Sequence, residues 1–536
     1  MGWLDRGLAR ISPKFAYKRM QYRRAFEALD RAQPRGRRPG MLLKRFYEAA
    51  ARGRRTAGWR AGSGDPNDEL RGALETLRNR SRDLVRNNGW ACRAVSIWSA
   101  KTIGTGLQPT LPTGLSRSVE DDLLDRWDEW AGTTACDVEG RHTFAGLQTL
   151  VQREVVEAGE ALVRMVFADD ADLPVRLQLQ VLEPDHLDTH KELSQSNGDR
   201  IVHGVQFSRQ GRRVGYWLFE DHPGARTISR ARRFGRSRFV PAREILHVYR
   251  TDRIGQVRGI PWGSPVLLTL KDFGRYVDAR LLREEIAACF VGFTHTGEPP
   301  VAEPTVGDTA VDSDAIMEFR PGTFEDLPVG REITFSNPPQ VQGFDEYTTV
   351  TLRQIAMGFG IPYEVLSGDL RRVNFSSGKM GRIDFQSMLD QNRELYLCPQ
   401  LCAPTWRRFV ETLQISGGGR GAPMRVAWTP PERDMIDPPK EVPAVIRRIR
   451  SGQMTLSEFL RSRGIANVRR YLEQRQRDDQ MLTELGLVLD SDPRATAPAG
   501  GGGVGGARDH LEGLLHRIHG SNGVVPASLE GETGGS

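Results

Sequence analysis

The chain has 536 residues, 27% of them charged and 38% hydrophobic, so it is long enough for several domains with a sizeable buried core. It has no apolar run of about 18 residues, which argues against a membrane-spanning helix. Its first residues lack the apolar segment of a secretory signal. Five scattered cysteines indicate a reducing compartment and no disulfide framework.

The positive charge is concentrated near the N-terminus. Residues 1–62 contain 17 Lys and Arg but four Asp and Glu, a net charge of +13. Because the whole chain carries +7 at pH 7, residues 63–536 carry −6. Such a basic arm is compatible with nucleic acid, an anionic membrane surface, an acidic partner protein, or simple solvation without a partner.

Helical periodicity begins after this arm. Apolar spacing predicts two helices between residues 65 and 103, with a break near 86–89 and an end at Gly104 and Gly106. Amphipathic helices are predicted over 118–132 and 143–159. Alternation with period two then predicts a strand-rich region over 160–250, so the fold class is α+β.

A long helix is predicted from Ser264 to Phe290, about 40 Å if it is continuous. That length exceeds what a compact domain usually needs. The following stretch, rich in Pro, Gly and acids, predicts loops and short strands. Helices are predicted again over 345–360, over 385–413 and, as a pair opened by a capping box of Thr455 and Glu458, over 455–486. The Gly-rich end is expected to be flexible.

The stretch "GDLRRVNFSSGKMGRIDF", from Gly368 to Phe385, contains a Gly-Lys pair among cations and serines. A phosphate-binding P-loop requires G-x-x-x-x-G-K-[ST] between a strand and a helix. Here Val373 stands at the first glycine position, Met380 follows Lys379, and the preceding segment is helical in pattern. The sequence therefore argues against a nucleotide site.

The stretch "LEPDHLDTH" is dense in acids and histidines, and these residue types allow a metal site as one interpretation. Its candidate ligands are Glu183, Asp185, His186, Asp188 and His190. Asp185 after Pro184 is also a common turn formula, and we favour that interpretation.

Cys398 and Cys402 are interpreted as structural, because zinc sites of this kind need four ligands and no second pair is present. No nucleophile motif occurs. We predict no catalytic residue, no metal, no cofactor and no enzyme activity.

Several blocks, in one order, carry a resemblance to a known family. They include "LRNRSRDLVRNNGWACRAV", "LQLQVLEPDHLDT", "GQVRGIPWGSPVL", "RPGTFEDLPVGREITF" and "GFGIPYEVLSGDLRRVNFSSGKMGR". From about Phe46 to Leu489 the chain resembles the lambda-type portal proteins of tailed bacteriophages. Phe375 and Lys379 stand where that family often has Tyr and Arg, and both differences keep an aromatic ring and a cation.

The resemblance implies a homo-oligomeric ring, typically of twelve subunits, at one capsid vertex of the virion, assembled in the host bacterial cytoplasm. Double-stranded DNA would be packaged and ejected through its bore without sequence specificity. The implied parts are a basic arm (1–62), a wing (63–262), a stem helix (263–294), a clip (295–340), a segment with second stem helix, tunnel loop and following helix (341–404), a helical crown (405–490) and a Gly-rich tail (491–536).

The same resemblance implies protein partners. The clip would dock the terminase large subunit and later a head-completion adaptor, and the ring would contact the major capsid or scaffold protein. We assign this docking to acidic clip residues, namely Glu298, Glu303, Asp308, Asp312 and Asp314.

The tunnel loop is assigned to Leu366–Lys379. Its DNA-facing residues are predicted to be Arg371, Arg372, Asn374, Ser376, Ser377 and Lys379, since contacts of cations with phosphate are independent of base sequence. The alternative is that Arg371, Arg372 and Lys379 form ion pairs between subunits. Two rival functions remain, a DNA-binding nuclease and a membrane-surface scaffold that uses the basic arm.

Overall fold

The computed structural model describes most of the chain between residues 57 and 487. The described residues are 57–58, 62–170, 172–194, 198–225, 236–288, 292–296, 331–335, 343–371, 373–433, 435 and 437–487. The chain forms two compact units, Met1–Asp65 and Pro66–Ser536, and every described helix and strand belongs to the second. Most of the basic arm, most of the predicted clip and the whole Gly-rich tail lie outside the described residues.

Five helices form the N-terminal part of the second unit. They are α1 (Pro66–Leu70), α2 (Leu74–Asn87), α3 (Gly89–Ile103), α4 (Arg117–Ala131) and α5 (Phe144–Ala158). The predicted break between the first long pair is confirmed at Asn88, whose backbone is extended and whose side chain accepts the backbone N–H groups of Trp90 and Ala91. This is an N-cap, so a new helix starts here instead of the old one continuing.

An aromatic cluster packs α4 and α5 against a later helix, α10 (Ala403–Ile415). Trp127 of α4 lies with its ring centroid 5.1 Å from that of Trp406 and 5.1 Å from that of Phe409. Phe144 of α5 is 5.5 Å from Trp127 on another side. All four side chains are buried, which makes this cluster the centre of the largest apolar core.

Two antiparallel sheets confirm the predicted strand-rich region. The first has the order β3-β2-β9, from β2 (Glu160–Phe167), β3 (Leu177–Leu182) and β9 (Ile245–Tyr249). The second has the order β4-β5-β6-β7-β8, from β4 (Leu193–Ser194), β5 (Arg200–Val202), β6 (Val205–Phe207), β7 (Arg213–Leu218) and β8 (Arg238–Pro241). A smaller core, including Leu162, Val205 and Ile245, joins them.

The turn from α5 into β2 depends on Gly159. Its φ of +97° lies in the left-handed region, and a Cβ there would stand 2.4 Å from the carbonyl carbon of Ile260. Only glycine satisfies both constraints. The close approach places Glu160, the next residue, against the 256–260 segment.

The predicted long helix is present in slightly shorter form. A 3₁₀ turn at Ser264–Val266 leads into α6 (Leu267–Ala288), about 33 Å long. Then β10 (Gly292–Thr296) pairs antiparallel with β11 (Arg331–Phe335), the described part of the region around the predicted clip. The parts predicted as arm, wing, stem, clip and crown remain predictions, although these elements are mixed α and β as expected.

The next helices are α7 (Phe344–Phe359), α8 (Tyr363–Ser367) and α9 (Phe375–Asn392). A π-helical segment, Arg393–Cys402, continues α9 directly into α10, so helical backbone runs unbroken from Phe375 to Ile415. The wide π turns accommodate Pro399, which would break a regular α-helix. Cys398 and Cys402 are buried free thiols within this segment, and burial raises the pKa of Cys402 well above its usual value.

The last described part contains three helices and a short strand pair. The pair joins β1 (Gln108–Thr110) to β12 (Ala427–Thr429), and the helices are α11 (Pro438–Arg450), α12 (Leu456–Ser462) and α13 (Val468–Glu484). The predicted capping box is confirmed at the start of α12, where Thr455 and Glu458 bond reciprocally. None of the described helices combines the length and the apolarity that crossing a membrane would require.

Candidate DNA-contact loop and a buried charge cluster

The loop between α8 and α9 is shorter than predicted. Residues 366–367 close α8 and residues 375–379 open α9, so the connection itself is 368–374. Its base is fixed by Arg93 of α3, whose Nε donates to the carbonyl of Leu366 at 2.6 Å and whose Nη2 donates to that of Val365 at 3.2 Å. Because Leu366 is fully buried, the loop projects from a rigid base.

Arg371 is held by an acid of the same loop. Its Nε and Nη2 donate to the two carboxylate oxygens of Asp369, each at 2.9 Å, and its backbone N–H donates to Oδ1 at 3.1 Å. These hydrogen bonds hold the pKa of Asp369 well below its usual range. The Arg371 side chain is still 75% exposed. It therefore presents a pre-oriented guanidinium whose charge is partly balanced within the chain.

Two of the predicted DNA-facing residues start α9. Asn374 accepts the backbone N–H of Ser377 at 2.8 Å, and the Ser377 hydroxyl bonds back to Asn374, which forms a capping box. Their polar atoms are thus engaged in ending the loop. Ser376 is exposed beside them, and Arg372 lies outside the described residues.

Lys379 lies in α9 and not in the loop. Its Nζ stands 3.5 Å from Oε1 of Glu441, in the first turn of α11. Neither Arg371 nor Lys379 is therefore an unbalanced cation within one chain. The helix α8 precedes this region, whereas a P-loop would have a strand there. The absence of a nucleotide site stays a prediction.

A buried charge cluster is centred on Glu160, and no pattern in the sequence predicted it. Glu160 is completely buried. Its Oε1 lies 2.6 Å from Nη2 of Arg258, and its Oε2 lies 2.8 Å from the backbone nitrogen of Gly259 and 2.9 Å from Nε2 of His247. Burial alone would raise the pKa of Glu160, but Arg258 and His247 outweigh it and hold this pKa well below its usual range. The carboxylate therefore stays ionised and ties β2, β9 and the 256–260 segment together.

The cluster continues through two arginines of α2. Arg78 is 3.5 Å from Glu160 and 3.1 Å from Asp185, and Arg82 is 2.7 Å from Asp185 and 2.8 Å from Glu154. Burial raises the pKa of Glu154 to about 7, although Arg82 opposes the shift. Asp185 thus serves as a counter-ion for α2.

The candidate metal ligands of this stretch, residues 183–190, separate in the structure. Glu183 and Asp185 meet His222, with ligand atoms within 4.8 Å of one another, but Arg82 pairs with both carboxylates, at 2.9 and 2.7 Å. A cation there would compete with this guanidinium. Three other members point to different partners or to solvent: His186 bonds the carbonyl of Phe219, Asp188 accepts from Ser237, and His190 is exposed. The predicted absence of a metal stays a prediction.

Large apolar side chains are exposed on both α6 and α7. In the first turns of α6, Leu267, Leu270 and Phe273 are buried, whereas Leu268 and, further along the helix, Val277, Leu281 and Leu282 are exposed, at 68, 38, 60 and 56%. On α7, Val350 and Met357 are exposed at 64 and 79%. We call these six residues the stem stripe. Exposed large apolar side chains that are grouped in this way usually mark a surface that another protein covers.

The acidic residues assigned to docking, Glu298, Glu303, Asp308, Asp312 and Asp314, all lie outside the described residues. Their assignment therefore stays a prediction. The described residues nearest to them in sequence are the hairpin strands β10 and β11.

Comparisons with known proteins agree with the sequence blocks. The chain matches the family model described as phage portal protein, lambda family, over residues 52–393. It is 28% identical over 462 residues to a probable portal protein of Halomonas phage phiHAP-1, with 81% of this chain and 86% of that protein covered. It is 24% identical over 454 residues to portal protein B of Escherichia phage lambda, with 72% and 80% covered.

A chain of the solved "Neck of native GTA particle computed with C12 symmetry" aligns with a TM-score of 0.40 and 16% identity, over 71% of this chain and 92% of that one. Because the family model covers more than half of the sequence, this chain belongs to the lambda family of phage portal proteins. The predicted resemblance and the predicted portal function are thereby confirmed.

Proposed function

We propose that copies of this chain close into a ring, with twelve subunits as the expected number, and that double-stranded DNA enters and leaves the capsid through its bore. The stem stripe is the observation that carries this proposal. One chain leaves these residues in water, and a neighbour in a closed ring covers the same surface on every copy. Burying each leucine contributes about 1.5–3 kcal/mol, which a ring repeats at every interface.

The chemistry of a conduit requires weak contacts. Charge contacts to phosphate are independent of base sequence, so every part of a genome can pass. They also have to release quickly. Arg371 and Lys379, each balanced by an acid of the same chain, meet that requirement better than a continuous basic groove. We therefore keep Arg371, Arg372, Asn374, Ser376, Ser377 and Lys379 as the proposed DNA-facing set, with Asn374 and Ser377 acting mainly as the helix cap.

The proposed partners follow from the same role. The acidic segment around Glu298 and Asp314 docks the terminase large subunit and afterwards a head-completion adaptor, while the outer surface meets the major capsid or scaffold protein. The chain itself is proposed to have no catalytic activity and no cofactor. It is assembled in the host bacterial cytoplasm and resides at one capsid vertex of the virion.

Negative-stain microscopy and light scattering of the purified full-length protein test the ring. The expected result is a closed particle with a central channel and a mass that is an integral multiple of 60.0 kDa. A mass of one subunit at all protein and salt concentrations would contradict the proposal.

The docking surface needs a separate test. Replacing Glu298, Glu303, Asp308, Asp312 and Asp314 by lysine should weaken binding of the terminase large subunit and leave the ring mass unchanged. Unchanged affinity in intact rings would show that docking lies elsewhere.

A further inference from the structure

Three arginines crowd the last turn of α11. Arg447, Arg448 and Arg450 are all exposed, and we call them the α11 arginine cluster. Among the residues that the structure describes, no carboxylate lies within ion-pair distance of any of the three guanidinium groups. Arg371 and Lys379, in contrast, have acids within their own chain. The cluster thus holds three positive charges that these described acids do not balance.

The described acid on which Arg448 acts is already occupied. Glu458 accepts the backbone N–H of Thr455 at 2.8 Å as part of the capping box. Arg448 acts on this carboxylate only through space, as a minor influence that lowers its pKa after the Thr455 hydrogen bonds. The arginine side chains remain available to an external anion.

The helix that carries the cluster is held in place by packing against α12. Ile446, the residue before it, is buried against Phe459 and Leu460 of α12. Arg447 and Arg450 are three residues apart, so their side chains lie on the same side of the helix. A fixed helix carrying exposed arginines loses little conformational freedom when it binds a ligand, which favours repeated weak contacts.

The cluster also lies close to the loop region. Glu441, the partner of Lys379, is in the first turn of the same helix. Six to nine residues separate it from the arginines, which corresponds to about 9–14 Å along the helix axis. A DNA duplex carries one negative charge per about 1.7 Å of its axis, so one duplex can meet both places.

We infer that the α11 arginine cluster binds phosphates of double-stranded DNA, as a second sequence-independent contact separate from the predicted loop. Guanidinium groups bind phosphate in a bidentate manner, which makes phosphate a suitable ligand for this cluster. This inference rests on the proposed function, because it takes DNA as the ligand. The competing explanation is that the arginines only stabilise the C-terminal end of α11 through its dipole.

The test is DNA binding by the full-length protein. A labelled 30-base-pair duplex of random sequence is titrated at several salt concentrations against wild type and against Arg447→Ala/Arg448→Ala/Arg450→Ala. Each lost phosphate contact lowers the slope of log K against log salt by about 0.9. The expected decrease is about 1–3 per contacting subunit, equal for two unrelated duplex sequences.

Two further variants make the result specific. Lysine at the same three positions keeps the charge and should restore most of the slope, while alanine at Arg80, Arg212 and Arg420, three other exposed arginines, should leave it unchanged. An unchanged slope in the cluster variant, with or without a lower melting temperature, would overturn the inference and leave only the dipole explanation or another acidic partner. If wild-type rings bind no DNA at all, this result contradicts the proposed function, and the inference that rests on it is overturned with it.

Discussion

At the scale of single residues, Glu160 is the position where the smallest change should have the largest effect. Glu160→Gln keeps the shape but removes the charge that balances the buried Arg258. Breaking a buried pair in this way costs about 3–5 kcal/mol, because the remaining charge is left uncompensated. We expect a clear fall in the melting temperature, measured by scanning calorimetry.

A surface glutamate provides the control for this change. Glu220→Gln, whose side chain is 71% exposed and 3.7 Å from Arg238, should alter stability by no more than about 0.5 kcal/mol. Equal effects of the two substitutions would mean that Glu160 does not hold the sheet and the 256–260 segment together.

His247 gives a pH dependence with a defined sign. Burial lowers the pKa of His247 from 6.5 to about 4, although the bond to Glu160 opposes the shift. Between these values the unfolded chain binds a proton that the folded chain does not. The stability that His247 contributes is therefore present above pH 6.5 and is lost as the pH falls towards 4, by up to about 3 kcal/mol.

The comparison of wild type with His247→Gln isolates this contribution, because glutamine does not titrate. The difference in melting temperature should change steadily between pH 6.5 and 4, and a constant difference would refute the assignment.

Glu154→Gln requires a separate comparison of melting temperature with wild type across the pH range. The pKa of Glu154 is raised to about 7, so its contribution runs the other way: it is present below pH 4.5 and lost as the pH rises through 7.

At the scale of elements, the loop between α8 and α9 can be tested as a unit. Replacing Arg371, Arg372 and Lys379 together by alanine should leave ring assembly and capsid incorporation intact but shorten or destabilise the packaged DNA. Each contact is weak, and the ring multiplies it. Packaged length is measured by gel electrophoresis of DNA from purified particles.

The outcome separates the two explanations for these cations. Loss of the ring in the triple variant would favour ion pairs between subunits. Full-length, stably retained genomes would show that the three side chains do not contact DNA during packaging. The variant Asn374→Ala serves as the control for helix start alone, because it costs about 1 kcal/mol at the cap without removing a charge.

Local sequence patterns predicted most helices and strands, but contacts between residues that are far apart in the sequence could not be predicted. The break at Asn88 and the capping box of Thr455 and Glu458 are set by neighbours within four residues, so a sequence contains them. Glu160 and Arg258 are 98 residues apart in the sequence, and no local pattern around either residue predicts that they form an ion pair. The early start of α9 was missed because Asn374 pairs with a serine in place of the usual Glu or Gln.

At the scale of the whole molecule, the stem stripe should decide the oligomeric state. Leu281→Asp/Leu282→Asp places two charges in a surface that the ring would bury, and burying unpaired charge is strongly unfavourable. Because both side chains are exposed within one chain, the fold of the subunit should survive. Light scattering is expected to give 60.0 kDa instead of a ring.

Exposed leucines elsewhere supply the control. Leu150→Asp/Leu193→Asp, at positions 40 and 47% exposed on α5 and β4, should leave the ring mass unchanged. Intact rings from the Leu281→Asp/Leu282→Asp variant would exclude this face of α6 from the subunit interface.

The unbroken helical run from Phe375 to Ile415 also has a mechanical consequence. Residues 376–384 are mostly exposed, so about 14 Å of α9 extends beyond the core. Phe385 and Leu389 are then buried in the core, and Phe385 packs against Trp98 of α3 with 5.4 Å between ring centroids. Just beyond α9, Arg393 donates to the carbonyls of Thr102 and Lys101 at 2.7 and 2.6 Å, at the end of α3. A sideways force on the loop end is therefore transmitted through the exposed part of α9 to α3, before it reaches the π turns and the aromatic core around Trp406.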